Sequence, residues 1–148
     1  MSGGFRVNVK VPELNDAIAK LGTYSGKMAL KVEEAISDST KSIGQGAKNR
    51  VPVARGTLKK SIRTKFNKKT CTGEVYAKAQ HAHLIEFGVK ASIAKPTDKK
   101  VMAIDVQGQR FFRRKANIPA RSARPFMRPA FEDEKPNLIR NVEKAVRP

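Results

Sequence analysis

The sequence predicts an α+β domain, and three observations predict it. One long amphipathic helical pattern runs from Ser25 to Asn49, short alternating runs punctuated by turn residues follow it, and a second helical pattern closes the chain. The expected architecture is a long N-terminal helix packed on a small antiparallel β-sheet. A short helical turn, a long basic loop and hairpin, and a C-terminal helix complete it. The 148 residues suit one domain, 1–148, with an N-terminal strand or arm at 1–11 and an extended basic segment at 89–124. A chain of this length buries roughly 68–70% of its unfolded surface, so no covalent staple is required.

Phe5, Val7, Val9 and Val11 alternate with Arg6, Asn8 and Lys10, the period of a half-buried strand. Pro12 ends it and suits the first turn of a helix from Glu13 to Leu21, with Gly22 as its cap. In the long helix, Met28, Val32, Ala35, Ile36, Ser39, Ile43 and Ala47 repeat at three-and-four spacing, with Ser25 placed as N-cap. Gly44 and Gly46 each weaken it by up to about 1 kcal/mol relative to alanine, and they leave room for another backbone. Pro52 stops the helix, and Thr57 is placed to cap one turn over Leu58–Ile62. Ile62, Thr64 and Phe66 then alternate with Arg63 and Lys65. Asn67-Lys68-Lys69 turns the chain, and Thr72 to Lys78 returns as the second strand of a hairpin.

The stretch from Glu74 to Gly88 reads as a strand followed by one tight helical turn closed by glycine, a joint that launches the segment after it. Val89 to Lys100 holds Pro96 and four lysines and reads as a loop. Val101–Val106 and Arg110–Arg114 are strands about a Gln107-Gly-Gln turn. At least one of the adjacent Phe111 and Phe112 is expected in the core, because neighbouring strand residues face opposite ways. The last helix is expected from Glu132 to Val146. Glu132, Asp133 and Glu134 would complement the dipole at its start, and Leu138, Val142 and Ala145 would be buried.

The charge balance narrows the function classes. With 31 Lys and Arg against 13 Asp and Glu, the net charge is +18, which calls for a polyanion or for acidic neighbouring subunits. Lys95, Lys99, Lys100, Arg110, Arg113, Arg114, Lys115, Arg121 and Arg124 crowd one region, with Phe111 and Phe112 inside it. No zinc-finger, helix-turn-helix or RNA-recognition signature accompanies them, so any nucleic-acid contact would be electrostatic rather than sequence-specific.

Catalysis is poorly supplied, and no enzymatic role, cofactor or metal is expected. Between Arg50 and Phe131 the only acids are Glu74, Glu86, Asp98 and Asp105. His81 and His83 lack a third ligand at a metal-binding spacing. Cys71 is the single cysteine, which fits a reducing compartment, and no helix N-terminus activates it. Gly44-Gln-Gly-Ala-Lys48 lacks the spacing of a phosphate loop and ends a helix where such loops begin one. No apolar run approaches the roughly 20 residues that span a bilayer, and the first residues lack the apolar core of a signal peptide. A soluble protein made in the cytoplasm is expected, without a membrane partner.

Three segments carry a resemblance. They are Ala47-Lys-Asn-Arg-Val-Pro-Val-Ala-Arg-Gly-Thr-Leu-Lys-Lys-Ser-Ile62, then Val75-Tyr-Ala with His83-Leu-Ile-Glu-Phe-Gly88, then Ala123-Arg-Pro-Phe-Met-Arg-Pro-Ala-Phe131. In this order they resemble the head–tail joining, or tail-completion, proteins of long-tailed bacteriophages and prophages. Val89 stands where that family commonly has threonine, and a long basic insert separates Gly88 from Ala123.

The resemblance implies a structural virion protein of the head–tail interface. Its subunits would form a homo-oligomeric ring, expected as a hexamer, that joins the DNA-filled head connector to the tail. Double-stranded DNA would pass through the lumen, and connector, stopper, tail-terminator or tube proteins would be the neighbours. A tail terminator capping the tube, or a free basic nucleic-acid-binding protein, are the alternatives. The resemblance also implies structural roles. Pro52 and Gly56 would fix the turn after the long helix, and Gly88 the conformation at the joint. Phe87, Phe126 and Phe131 would pack the fold, Pro125 and Pro129 would frame the last helix, and Glu86 would pair with an arginine.

Overall fold

A computed structural model describes residues 5–9, 26–96 and 100–147. The elements in order are β1 (Phe5–Val9), α1 (Gly26–Arg50), α2 (Thr57–Ser61), β2 (Ile62–Asn67), β3 (Thr72–Ala77), α3 (Ala82–Phe87), β4 (Ser92–Ala94), β5 (Met102–Val106), β6 (Gln109–Arg113), β7 (Ala116–Ile118) and α4 (Met127–Val146). This is the expected α+β arrangement. The helix expected over Glu13–Leu21, the Ser25 cap and the end of the first strand fall outside the described residues.

Helix α1 is the scaffold. Val32, Ile36, Ser39, Ile43 and Ala47 are buried as the three-and-four spacing predicts, Met28 and Ala35 are half-buried, and Thr40 and Gly44 are buried as well. On one side it meets the antiparallel sheet β1-β3-β2. Central strand β3 aligns Gly73 with Val9 of β1 and Phe66 of β2, and Ala77 with Phe5 and Ile62. Gly73, Val75 and Ala77 of β3 are buried and alternate with half-buried Thr72, Glu74 and Tyr76. On its other side α1 packs along α4, whose Met127, Ala130, Leu138, Val142 and Ala145 are buried.

The small residues of α1 set how closely these layers approach. A Cβ on Gly44 would collide with the Thr64 side chain of β2, and one on Gly46 would press the Ala130 side chain of α4 at 3.3 Å. Across the same helix pair, Ser39 donates to Glu134 Oε1 at 3.0 Å and Arg50 pairs with Asp133.

Several expectations need correction. Thr57 does not cap α2; it is the first helical residue, and Gly56, with φ 73°, occupies the N-cap position without a side-chain bond. Helix α4 begins at Met127, five residues before the expected start, so the Glu132–Glu134 run sits in the second turn and bonds across to α1 instead of to the dipole. Proline is tolerated in a first helical turn, which is why Pro129 does not delay the start. Segment 89–100 is not wholly irregular, because β4 within it pairs with β7. Phe111 and Phe112 are both exposed, since a two-stranded ribbon has no covered face to offer either ring.

Core truncation tests this layering. Ile43 is 1% exposed between the packed layers, so Ile43→Ala is expected to cost about 2–5 kcal/mol in urea unfolding followed by circular dichroism. Leu30→Ala, at a residue 58% exposed on the same helix, should stay within about 0.5 kcal/mol.

Candidate assembly interface

Residues 89–96 and 100–121 form a projecting arm. Its root is a backbone bridge in which Val89 N–H donates to Arg121 O at 2.9 Å and Arg121 N–H donates to Val89 O at 2.8 Å. Beyond the root, Ser92–Ala94 pairs with Ala116–Ile118, and further out Met102–Val106 pairs with Gln109–Arg113. The tip is a two-residue turn. Gln107 and Gly108 have φ of 51° and 83°, the signs that match the right-handed twist of a hairpin.

The joint between arm and body is tightly constrained backbone. Gly88 closes α3 with φ 76° and ψ 179°, a region essentially restricted to glycine. A Cβ there would lie 2.7 Å from Arg121 O and 2.8 Å from Ala123 N, backbone atoms that cannot rotate away. Arg124 N–H donates to Ile85 O at 2.8 Å, which holds the returning chain against α3.

Glu86 completes the joint, and not in the way the arginine-rich sequence suggests. Its side chain is buried, and its carboxylate accepts backbone N–H bonds from Phe126 at 2.8 Å, Met127 at 3.0 Å and Arg128 at 3.0 Å. A helix leaves its first four N–H groups without internal partners. In α4 those belong to Phe126, Met127, Arg128 and Pro129, and proline has no N–H. One carboxylate, borrowed from α3, therefore satisfies every orphan donor at this end and sets a negative charge at the positive end of the dipole. Phe126 and Met127 are fully buried beneath it.

The basic residues singled out by sequence are distributed along the arm. Lys95, Lys100, Arg110, Arg113, Arg114 and Lys115 are exposed on its length, and Arg121 and Arg124 are exposed at its root. Lys99 lies outside the described residues. Arg110 pairs with Asp105 at 3.1 Å on the ribbon. Of the residues with expected structural roles, Phe126 is buried and Phe131 half-buried. Phe87 departs from its expected packing role, being 68% exposed on a helix too short to turn all its apolar residues inward. Pro52 stands at the end of α1 and, with Leu84, Ile85, Arg121, Ser122 and Arg124, lines an open groove of about 450 Å³ beside the arm root.

Sequence reasoning passed over Leu30, Val53, Leu84, Ile93 and Ile118, and expected Phe87 and at least one of Phe111 and Phe112 to be packed. Leu30, Val53, Leu84 and Phe87 on the body, and Ile93, Phe111, Phe112 and Ile118 on the arm, all face solvent. An adjacent lysine or arginine was a signal at Leu30, Phe111 and Phe112, whereas Val53, Leu84, Phe87, Ile93 and Ile118 have no such neighbour.

Other chemistry is sparse. His81 and His83 are exposed on α3 and the residue before it. Among the described residues no group of three His, Cys, Asp or Glu is placed to hold a metal ion, and no helix is long and apolar enough to cross a membrane. Burial, and to a lesser degree the charge of Glu33, pushes the Cys71 thiol up from its usual range.

A family model described as "Bacteriophage HK97-gp10, putative tail-component" matches residues 15–88, half of the chain. The match ends at Gly88, the glycine from which the arm departs. No curated protein and no solved structure matches the chain.

Two predictions test the joint and the thiol. Glu86→Ala would leave three N–H groups, two of them buried, without their carboxylate partner and is expected to cost about 3 kcal/mol, and Gly88→Val should cost at least as much. His81→Ala and His83→Ala should each stay within about 0.5 kcal/mol by the same thermal or urea unfolding. A folded protein inactivated by the histidine changes would contradict the structural reading of α3. A raised thiol pKa means less thiolate at a given pH, so near pH 8 folded Cys71 should react several-fold more slowly with a thiol reagent than the unfolded chain. That gap should close as pH climbs past the raised pKa.

Proposed function

The chain belongs to the HK97-gp10-like family of bacteriophage tail components, and from that membership we propose that it is a structural protein of the virion neck. In this role it forms a ring that joins the DNA-filled head connector to the tail and lets DNA pass through its lumen. The observation that carries the proposal is the arm. It is rooted in a rigid joint, cationic along its length, and covered with apolar side chains that a free monomer would leave in water.

A ring repeats one heterologous contact by rotation, so each subunit needs two unlike surfaces, and a projecting arm with a compact body supplies them. The cationic arm also suits a site where duplex DNA and the acidic surfaces of neighbouring rings are close. The head connector or stopper lies on one side, and the tail terminator or tube on the other. No chemical step is assigned to the protein, and no cofactor or metal enters the role.

Tail terminator is the neighbouring assignment within the same class, and the family match supports it equally. A free non-specific nucleic-acid-binding protein is the alternative from another class, supported by the net charge of +18.

Native mass spectrometry and negative-stain imaging with purified neck and tail components test the proposal. The expected outcome is a closed ring, of six subunits, seated between connector and tail tube. A chain that stays monomeric with every component would sink it. A ring that caps isolated tail tubes and ignores the connector would assign the terminator role. Duplex binding by the monomer, falling steeply with salt and without particle incorporation, would favour the free binding protein.

A further inference from the structure

The arm has two chemically different faces. Directly opposed residues of an antiparallel pair share a face. Met102 and Ile104 therefore lie with Arg113 and Phe111 on one face, and Ala103 and Asp105 with Phe112 and Arg110 on the other. The first face is apolar with a cationic rim. Ile104, Phe111, Arg113, Lys115, Ala116 and Asn117 line an open groove there of about 540 Å³, and Phe111 is 42% exposed. A two-stranded ribbon is marginal by itself in water, so a face of this kind gains from a surface that covers it.

The body of the same chain offers a matching surface. On the outer side of α1, Leu30, Glu34 and Asp38 are all exposed, and their four-residue spacing puts them on one helix face. This stripe combines an uncovered apolar residue with two carboxylates. Asp38 holds Lys41 at 3.1 Å, but both side chains are well exposed, and such a pair is weak enough for another cation to replace.

Other surfaces fit less well. Arm against arm would set Arg113 and Lys115 against their own copies. The exposed Leu84 of α3 shares a groove with the cationic Arg121 and Arg124 at the arm root. Duplex DNA would satisfy the charges of Arg113 and Lys115 while its phosphate surface left Met102, Ile104 and Phe111 uncovered.

We propose that this arm face docks on the α1 stripe of a second copy of the chain. Phe111 and Ile104 pack against Leu30, and Arg113 and Lys115 meet Glu34 and Asp38. The inference rests on the ring reading above and names the contact that would close the ring. Because arm and stripe are different parts of the subunit, the contact is heterologous and repeats around an axis.

Charge-swapped full-length chains test it. Arg113→Glu with Lys115→Glu, and separately Glu34→Lys with Asp38→Lys, change only exposed side chains, so circular dichroism should be unaltered. By sedimentation and native mass spectrometry near 0.1 M salt, each pair of reversals should weaken self-association by about tenfold or more. Combining all four should restore it to within about threefold of the wild type. Phe111→Ser should weaken it without changing the charge. A wild-type ring that persists unchanged after the Glu34 and Asp38 reversals overturns the docking but leaves the neck assignment standing. Arm reversals that reduce only duplex binding, read by fluorescence anisotropy, overturn it in favour of DNA. A wild-type chain that stays monomeric, alone and with the neck components, removes both readings.

Discussion

The carboxylate of Glu86 is the interaction on which the rest of the structure depends. It lies on a six-residue helix, yet it ends a twenty-residue one by accepting three backbone N–H bonds. A helix terminus buried without partners is costly, and Phe126 and Met127 bury this one completely. Because Glu86 is two residues before Gly88, the same short segment caps α4 and aims the arm. The core helix pair and the projecting arm are therefore fixed by one local geometry.

The body makes its close contacts with small residues. Gly44 admits β2 and Gly46 admits α4, while the Ser39–Glu134 bond and the Arg50–Asp133 pair hold the two helices in register. This leaves α1 contacted on two sides and exposed on a third, where Leu30, Glu34 and Asp38 remain in water. The arm carries the opposite chemistry, and the proposed assembly contact draws on the separation of the two within one chain.

Regular periodicity made much of the body legible before any coordinates. The α1 stripe, the β2–β3 hairpin and the Leu138–Val142–Ala145 face follow from spacing alone, because each buries one side against a neighbour. What escaped were features set by distant partners or by short runs. Ser92-Ile-Ala94 is too brief to show a period, and its pairing with β7 depends on residues more than twenty positions away. Glu86 caps residues forty positions later, so in a chain with 31 cations an arginine partner looked more natural. The last helix was expected only from Glu132, although Pro129 in its first turn removes a donor that would otherwise need a partner.

The arm's attachment has a consequence for how its length can vary. Among the described residues its root is held at Val89–Arg121, at Gly88 and by Arg124 on Ile85, and two short ladders lie beyond. Inserting one residue in each strand would extend it by roughly 3.3 Å but exchange its two faces, whereas two in each strand would extend it by about 6.6 Å and keep them. Reach can thus change in steps of four residues without disturbing the capped helix or the groove chemistry. A subunit built this way can be fitted to wider or narrower assemblies while its body stays the same.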